Sequence, residues 1–433
     1  MTYDEKIERL FARFPSYQNV GGRAYKSGLE GMLAFDALLG HPHRQYPVIH
    51  IAGTNGKGSV SSMLAAALSG GGRRVGLYTS PHLTDFRERM KIVSEDGAEM
   101  VPKSFVESFL DQYEDFMDKE APSFFEITTA MAFSWFAAEK VDLAVVETGL
   151  GGRLDSTNIV NPVLGVITNI GLEHCMYLGN TLPEIAYEKG GIIKPGVPVV
   201  IGEDNPQTRP VFESLAAGRG SRIVFAGEYV SVVENALLWA ELLPQMDLAG
   251  FYQRQNLATV LAALDVLQTA GGEFSSGFSS RRIASTARLT GFRGRWERIS
   301  SHPDVICDIG HNAHGLRQVF SQIEDSAGRY DKIYIVFGVV SDKDVEAVAP
   351  LMPHQSDSLQ YLLTQPSTGR AMPVEVLAAR LAPFGLEGRC FSRVGDALRE
   401  ALSLAGPSDL VFIGGSNFTV SDALAEIEGA AVK

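Results

Sequence analysis

Short apolar runs and amphipathic stretches alternate along almost the whole chain. Tyr46–Ala52 is a short strand-like apolar run, followed by a glycine-rich turn. In the next stretch Val60, Met63, Leu64, Ala67 and Leu68 recur at helical spacing, which predicts a helix with one apolar face. Further strand-like runs lie at Val75–Thr79, Val141–Glu147, Val163–Ile170 and Pro198–Ile201, with helical spacing between several of them. Such alternation predicts a mostly parallel sheet covered by helices, with ligands at the carboxyl ends of the strands. Between Arg222 and Gly250 the period is lost, and a few short antiparallel strands are expected there. Thr290-Gly291-Phe292-Arg293-Gly294-Arg295 interrupts the pattern and reads as a linker. Beyond it, runs at Val305–Ile309, Lys332–Val340, Leu359–Thr364 and Leu410–Ile413 restart the alternation. Two α/β units are expected, over residues 1–292 and 297–433 with a linker at 293–296, and the second is Rossmann-like. It carries no dinucleotide fingerprint, so no nicotinamide cofactor is assigned to it. Ser275–Ser280 reads as a Ser/Gly-rich loop.

A length of 433 residues fits two domains, and 45% apolar with 21% charged residues is ordinary globular composition. The net charge of −13, without a Lys/Arg-rich block, disfavours nucleic acid and anionic membranes as partners. Anionic small ligands remain open, because loops and helix N-termini set the local potential. Cys175, Cys307 and Cys390 are far apart, which argues for a reducing compartment without a disulfide framework. The first residues lack a signal-peptide pattern and no apolar run approaches the ~18 residues of a membrane span, so a cytoplasmic protein is expected. A monomer is the expected state, with the sequence itself leaving oligomerisation open.

Gly53-Thr54-Asn55-Gly56-Lys57-Gly58-Ser59 sits between the first strand and the first helix. Glycines let the backbone turn sharply and aim N–H groups at one anion, and the helix N-terminus adds partial positive charge. Lys57 can reach terminal phosphates and Ser59 can offer a hydroxyl to Mg²⁺. The spacing is unusual: two residues separate the flanking glycines, and Gly58 divides Lys57 from Ser59. The first unit is therefore expected to be a P-loop-containing ATPase domain.

Three further segments put polar groups at strand ends. Thr79-Ser80-Pro81-His82-Leu83 comes after the second strand and leaves Ser80 where a metal or ligand would lie. Glu147-Thr148-Gly149-Leu150-Gly151-Gly152-Arg153-Leu154-Asp155 begins with a carboxylate ending an apolar strand, costly to bury without a cation; Mg²⁺ is its natural partner. Gly171-Leu172-Glu173-His174 brings His174 to the same sheet edge. Arg295, at the linker, could clamp a γ-phosphate when the domains close.

The phosphate loop resembles that of the Mur-ligase superfamily, and its Lys-Gly-Ser ending resembles the folylpolyglutamate/dihydrofolate synthase branch. The resemblance runs from about Val48 to Asn417 with the family's motifs in order. It implies ATP binding by Gly53 through Ser59, with Asn256 of Gly250-Phe251-Tyr252-Gln253-Arg254-Gln255-Asn256 at adenine, Asp308 at the ribose and Arg295 at the phosphates. It implies two Mg²⁺ ions held by Ser59, Ser80, Glu147, His174 and a carbamylated Lys189, and leaves potassium dependence open. Glu173 stands where the family has aspartate, a change of little consequence if that residue is not a ligand. Ser80, Pro81, His82, Arg153 and Asp155 would receive the pteridine-bearing acceptor, with Asp155 on the ring nitrogens. His311, in Asp308-Ile309-Gly310-His311-Asn312-Ala313-His314, would lie near the phosphates or incoming glutamate; Gly310 and Ala313 depart from the family form.

The activity implied is acid–amino-acid ligation. The ATP γ-phosphoryl group moves to an acceptor carboxylate, and the α-amine of L-glutamate displaces phosphate. Dihydropteroate or a reduced folate is the expected acceptor. A Mur ligase acting on a UDP-muramyl precursor is disfavoured by the roughly fifty residues before Gly53, too few for a further domain. A P-loop kinase or GTPase would leave the second unit unused and lacks an Asn-Lys-x-Asp motif, and a non-catalytic nucleotide sensor would not need the metal and closure groups.

Overall fold

The structure, a computed structural model, describes residues 1–15, 28–271 and 276–431; Ser275 of the expected Ser/Gly-rich loop lies outside them. The chain forms two compact units: Met1–Asp247 with Tyr252–Phe292, and Leu248–Phe251 with Arg293–Lys433. The first unit is thus not the continuous 1–292 expected. Gln322, in the second unit, donates to the Ala249 carbonyl at 2.9 Å and accepts from the Phe251 amide at 2.7 Å, tying that short segment to it.

The first unit is built on an eight-stranded sheet of order β4-β3-β2-β5-β1-β6-β7-β8. The strands are β1 (Val48–Ala52), β2 (Val75–Tyr78), β3 (Met90–Val93), β4 (Ala98–Met100), β5 (Leu143–Glu147), β6 (Leu164–Ile167), β7 (Val199–Ile201) and β8 (Ile223–Phe225). From β2 to β8 across the sheet the pairing is parallel, while β3 and β4 add an antiparallel edge. Every residue of β1, β2, β5, β6 and β7 is buried, as expected where helices cover both faces and strands read as unbroken apolar runs. β1 lies centrally between β5 and β6, so the carboxyl ends of three parallel strands meet there.

The helix Lys57–Leu68 departs from its expected single apolar face, for every residue from Gly58 to Leu68 is buried. Its small Ser and Ala positions let it pack between the sheet and the helices Gln253–Ala270 and Thr286–Thr290. The stretch after Arg222 also departs from expectation. It yields one parallel strand, β8, and then the helices Ala226–Tyr229 and Val233–Leu242 instead of antiparallel strands. Ala, Leu and Glu dominate Val233–Leu242, and their helix propensity prevails although the helix exposes Val233 and Leu237 one turn apart.

The second unit holds a six-stranded sheet of order β13-β12-β11-β14-β10-β9. Its strands are β9 (Glu297–Ser301), β10 (Asp304–Cys307), β11 (Ile333–Phe337), β12 (Leu359–Thr364), β13 (Gly388–Phe391) and β14 (Leu410–Gly414). All pairs are parallel except β9 with β10. No helix among the described residues is long and apolar enough to cross a membrane, and the three cysteines are free.

Candidate active site

The phosphate loop leaves β1 at Gly53, whose φ of 148° and close neighbour exclude a side chain: a Cβ there would lie 1.9 Å from Thr168 Oγ1. Gly56, at φ 82°, is equally hemmed in, since a Cβ on it would lie 2.3 Å from Asn256 Oδ1, and it caps the helix that starts at Lys57. The Thr54 amide donates to the Asn169 carbonyl and the Asn55 amide to Asn169 Oδ1, both at 2.9 Å. Thr168 Oγ1 donates to the Asn55 carbonyl at 2.6 Å. Thr54 and Asn55 therefore brace the loop, and its capacity for anions rests on the helix N-terminus, where first-turn N–H groups lack intrahelical acceptors. Lys57 folds back, its Nζ 3.1 Å from both the Gly53 and Thr54 carbonyls. Behind the loop, fully buried Gln253 donates to Ser59 Oγ at 3.1 Å and accepts from Asn256 Nδ2 at 2.8 Å. Asn256 thus backs the phosphate loop. Thr168, Asn169 and Gln253 were not among the expected site residues; the sole signal for them was position, just past β6 and at the start of a helix.

Glu147 ends β5 in register with Ile51 of β1 and is 3% exposed. Its Oε2 accepts from the Ser80 amide at 3.2 Å and lies 3.5 Å from where a Cβ on Gly58 would sit. The carboxylate therefore rests against the first turn of the phosphate-loop helix. Arg89, also buried, feels its field: burial lowers the guanidinium pKa, and Tyr78, Glu147 and Glu88 oppose that. Arg89 Nε donates to His82 Nδ1 at 2.8 Å, so the proton of a neutral His82 sits on Nε2. Desolvation and the Arg89 cation hold the His82 pKa well below 6.5. Glu88 accepts from the Leu83, Thr84 and Asp85 amides at 2.8, 2.9 and 2.8 Å, stitching the segment after Ser80-Pro81 into a defined shape.

Lys189, 3% exposed, donates to the Gly53 carbonyl at 2.7 Å. Burial foremost, and Lys57 next, pull its pKa down to about 7, against the attraction of Glu173 and Asp155. Close backbone packing puts Lys189 there. A Cβ on Gly152 would lie 2.7 Å from the Lys189 carbonyl, and one on Gly191 would lie 2.4 Å from Arg153 Cα. His174 takes a left-handed backbone conformation, φ 52°, with Nε2 3.6 Å from Glu173 Oε1.

Two expected acceptor-binding residues have structural partners. Arg153 pairs with Glu188 at 2.9 Å while 44% exposed. The Asp155 carboxylate accepts from the Gly149 and Leu150 amides, each at 2.8 Å, from the Thr157 amide at 3.0 Å and from the Thr157 hydroxyl. These four bonds fill its acceptor positions. In this structure they shape the glycine-rich turn.

In the second unit, Asp308 is buried and accepts from the Trp296 amide at 2.8 Å and the Gly310 amide at 2.7 Å. The Ile309 amide donates to the Gly294 carbonyl at 3.0 Å, drawing the linker residue Arg295 to the carboxyl end of β10. His311 Nδ1 lies 3.0 Å from the Ile309 carbonyl and donates to it. Arg295, Asp308 and His311 thus surround one turn.

Whether these residues suit a metal can be judged from the donor set. Among the described residues no group of three or more His, Cys, Asp or Glu side chains is arranged to hold a metal ion. Around Glu147 there are instead a strand-end amide, a serine and a helix N-terminus. One carboxylate with hydroxyls suits Mg²⁺, which keeps several waters and shares phosphate oxygens instead of filling an all-protein cage. The residues fit that ion.

A strand–loop–helix phosphate site beside a buried carboxylate and a buried lysine, with a second α/β unit after it, is the arrangement of an ATP-dependent ligase. Family profiles agree: residues 51–231 match the Mur ligase middle domain and residues 294–417 the Mur ligase glutamate ligase domain. The chain is 32% identical over 446 residues to the folylpolyglutamate synthase of Lacticaseibacillus casei, covering 97% of each. It superposes with a TM-score of 0.82 and 26% identity on E. coli FolC in complex with DHPP and ADP, covering 100% of this chain and 99% of that one. The bifunctional folylpolyglutamate synthase/dihydrofolate synthase of Yersinia pestis, complexed with AMPPNP and Mn ion, gives a TM-score of 0.77 and 26% identity over 99% of this chain and 98% of that one. The chain belongs to the folylpolyglutamate synthase/dihydrofolate synthase family of Mur ligases.

Proposed function

We propose that the chain joins L-glutamate to dihydropteroate, to folylpolyglutamate or to both, through an acyl phosphate, releasing ADP and phosphate. The observation that carries this reading is the convergence of Lys57, Glu147 and Lys189 on the loop Gly53–Ser59. The relatives bound to ADP with DHPP, and to AMPPNP with Mn ion, support ATP and a divalent cation as its partners.

A carboxylate is a poor acylating agent, because oxide is a poor leaving group, and phosphorylation corrects that. Lys57 and the amides at the helix N-terminus would neutralise charge on the transferring phosphoryl group, with Arg295 added from the second unit. Glu147, the Ser59 and Ser80 hydroxyls, His174 and carbamylated Lys189 would hold two magnesium ions, which supply further charge neutralisation when bound. Asn256 and Asp308 would address adenine and ribose, and His311 the incoming glutamate. Ser80, Pro81, His82, Arg153 and Asp155 would receive the acceptor, with Asp155, which also braces the glycine-rich turn, facing the ring nitrogens. The neutral His82, with its proton on Nε2, is a donor suited to a carbonyl or ring nitrogen. The dispersed free cysteines support a reducing, cytoplasmic setting, and the acidic net charge supports small-molecule partners over nucleic acid.

Phosphate release from ATP and Mg²⁺ should require both glutamate and a dihydropteroate or tetrahydrofolate acceptor. Release driven by a UDP-muramyl acceptor, or release without glutamate, would overturn the reading in favour of another Mur ligase or a simple ATPase.

A further inference from the structure

His50 occupies the middle of β1, three residues before Gly53, in an otherwise apolar strand. It is fully buried, with Val146 of β5 and Gly165 of β6 beside it in register. Its Nε2 lies 2.8 Å from Thr157 Oγ1, and that hydroxyl in turn reaches Asp155 Oδ1. Asp155 Oδ2 holds the Gly149 and Leu150 amides, each at 2.8 Å. One hydrogen-bond chain therefore runs from the strand that feeds the phosphate loop to the turn just past Glu147.

The protons in this chain have fixed places. Burial raises the Asp155 pKa against the pull of its hydrogen bonds, but backbone amides donate to both of its oxygens, so it accepts there and the single Thr157 hydroxyl proton goes to it. The hydroxyl lone pair then receives an N–H from His50 Nε2, which leaves Nδ1 bare. That Nδ1 is buried without a partner. Burial, with a small contribution from Lys194, drives the His50 pKa down to about 3, so the ring is a permanent neutral donor and not a pH switch. An apolar side chain would fill this strand without an orphaned nitrogen, and a local rule broken in a core points to function.

We propose that His50 is a positioning residue: through Thr157 and Asp155 it holds the glycine-rich turn after Glu147 in the form that receives the acceptor. The inference rests on the acceptor assignment made under Proposed function. It assigns a role to a side chain that touches neither nucleotide nor acceptor.

The test is steady-state kinetics on the full chain. His50→Val should raise the acceptor KM about tenfold, the cost of one buried hydrogen bond, with the ATP KM within about twofold and no drop in melting temperature. His50→Gln, whose Nε2 reaches the same place, should restore most of the loss. Thr157→Val should match His50→Val, and the double variant should cost no more than either alone. An unchanged acceptor KM, a His50→Gln variant as impaired as His50→Val, or costs that multiply would each overturn the proposal. If His50→Val does not fold, Thr157→Val with rescue by Thr157→Ser decides by the same readings. Should the wild-type chain turn over no folate-type acceptor, the functional reading fails separately. The relay is then read from hydrogen exchange at the Gly149 and Leu150 amides, expected about tenfold faster in His50→Val; unchanged exchange overturns it.

Discussion

Glu147→Ala lowers kcat at least about a thousandfold with either folate-type acceptor, the scale of losing a main stabiliser of a phosphoryl-transfer transition state. The expectation comes from where the carboxylate sits. It is buried at the carboxyl end of β5, and its Oε2 is 3.5 Å from the Cβ position of Gly58 in the first turn of the phosphate-loop helix. It is the buried anion against that turn, so its removal takes away the charge that would draw a cation to the nucleotide. Glu147→Gln separates charge from shape. The amide can still accept from the Ser80 N–H, now 3.2 Å from Oε2, so the strand end keeps its form. A fall of at least about a hundredfold in this isostere, with an unchanged melting temperature, marks the loss as electrostatic. Near-wild-type rates in Glu147→Ala would remove the metal assignment.

The second large effect is at Lys189. Lys189→Ala should lower kcat by about a hundredfold or more, and formate or acetate should recover part of it by standing in for the carbamate proposed at Lys189. Carbamate formation needs the uncharged amine. With its pKa lowered to about 7, the amine is mostly uncharged above that pH and mostly protonated below it, so bicarbonate should stimulate more as pH rises through 7. Lys189→Arg, always cationic, should show neither rescue nor stimulation. Activity in Lys189→Ala equal to wild type, indifferent to added carboxylates, would limit Lys189 to its hydrogen bond with Gly53.

Much of this site is legible in the sequence because its anchors are strand ends. Apolar runs locate β1, β5 and β6, and residues just past a buried parallel strand are expected at the ligand edge; Glu147 lies there against the first turn of the helix that follows the loop Gly53–Ser59. Groups whose importance comes from the partner across a fold contact stay hidden. Asn169 and Gln253 are ordinary amides until the chain folds them against Thr54, Asn55 and Ser59. The bonds of Asp155 to Gly149, Leu150 and Thr157 are hidden in the same way, since they exist only once the glycine-rich turn has formed. The edge strands β9 and β13 escape notice for a different reason: they are largely exposed, so neither shows the continuous apolar run of the central strands.

The central proposal is that ATP activates an acceptor carboxylate at this sheet edge. Turnover with an acceptor labelled with ¹⁸O in that carboxylate tests this most directly. One labelled oxygen should appear in the phosphate released, in step with glutamate incorporation. Unlabelled phosphate, with the amide bond still formed, would contradict it.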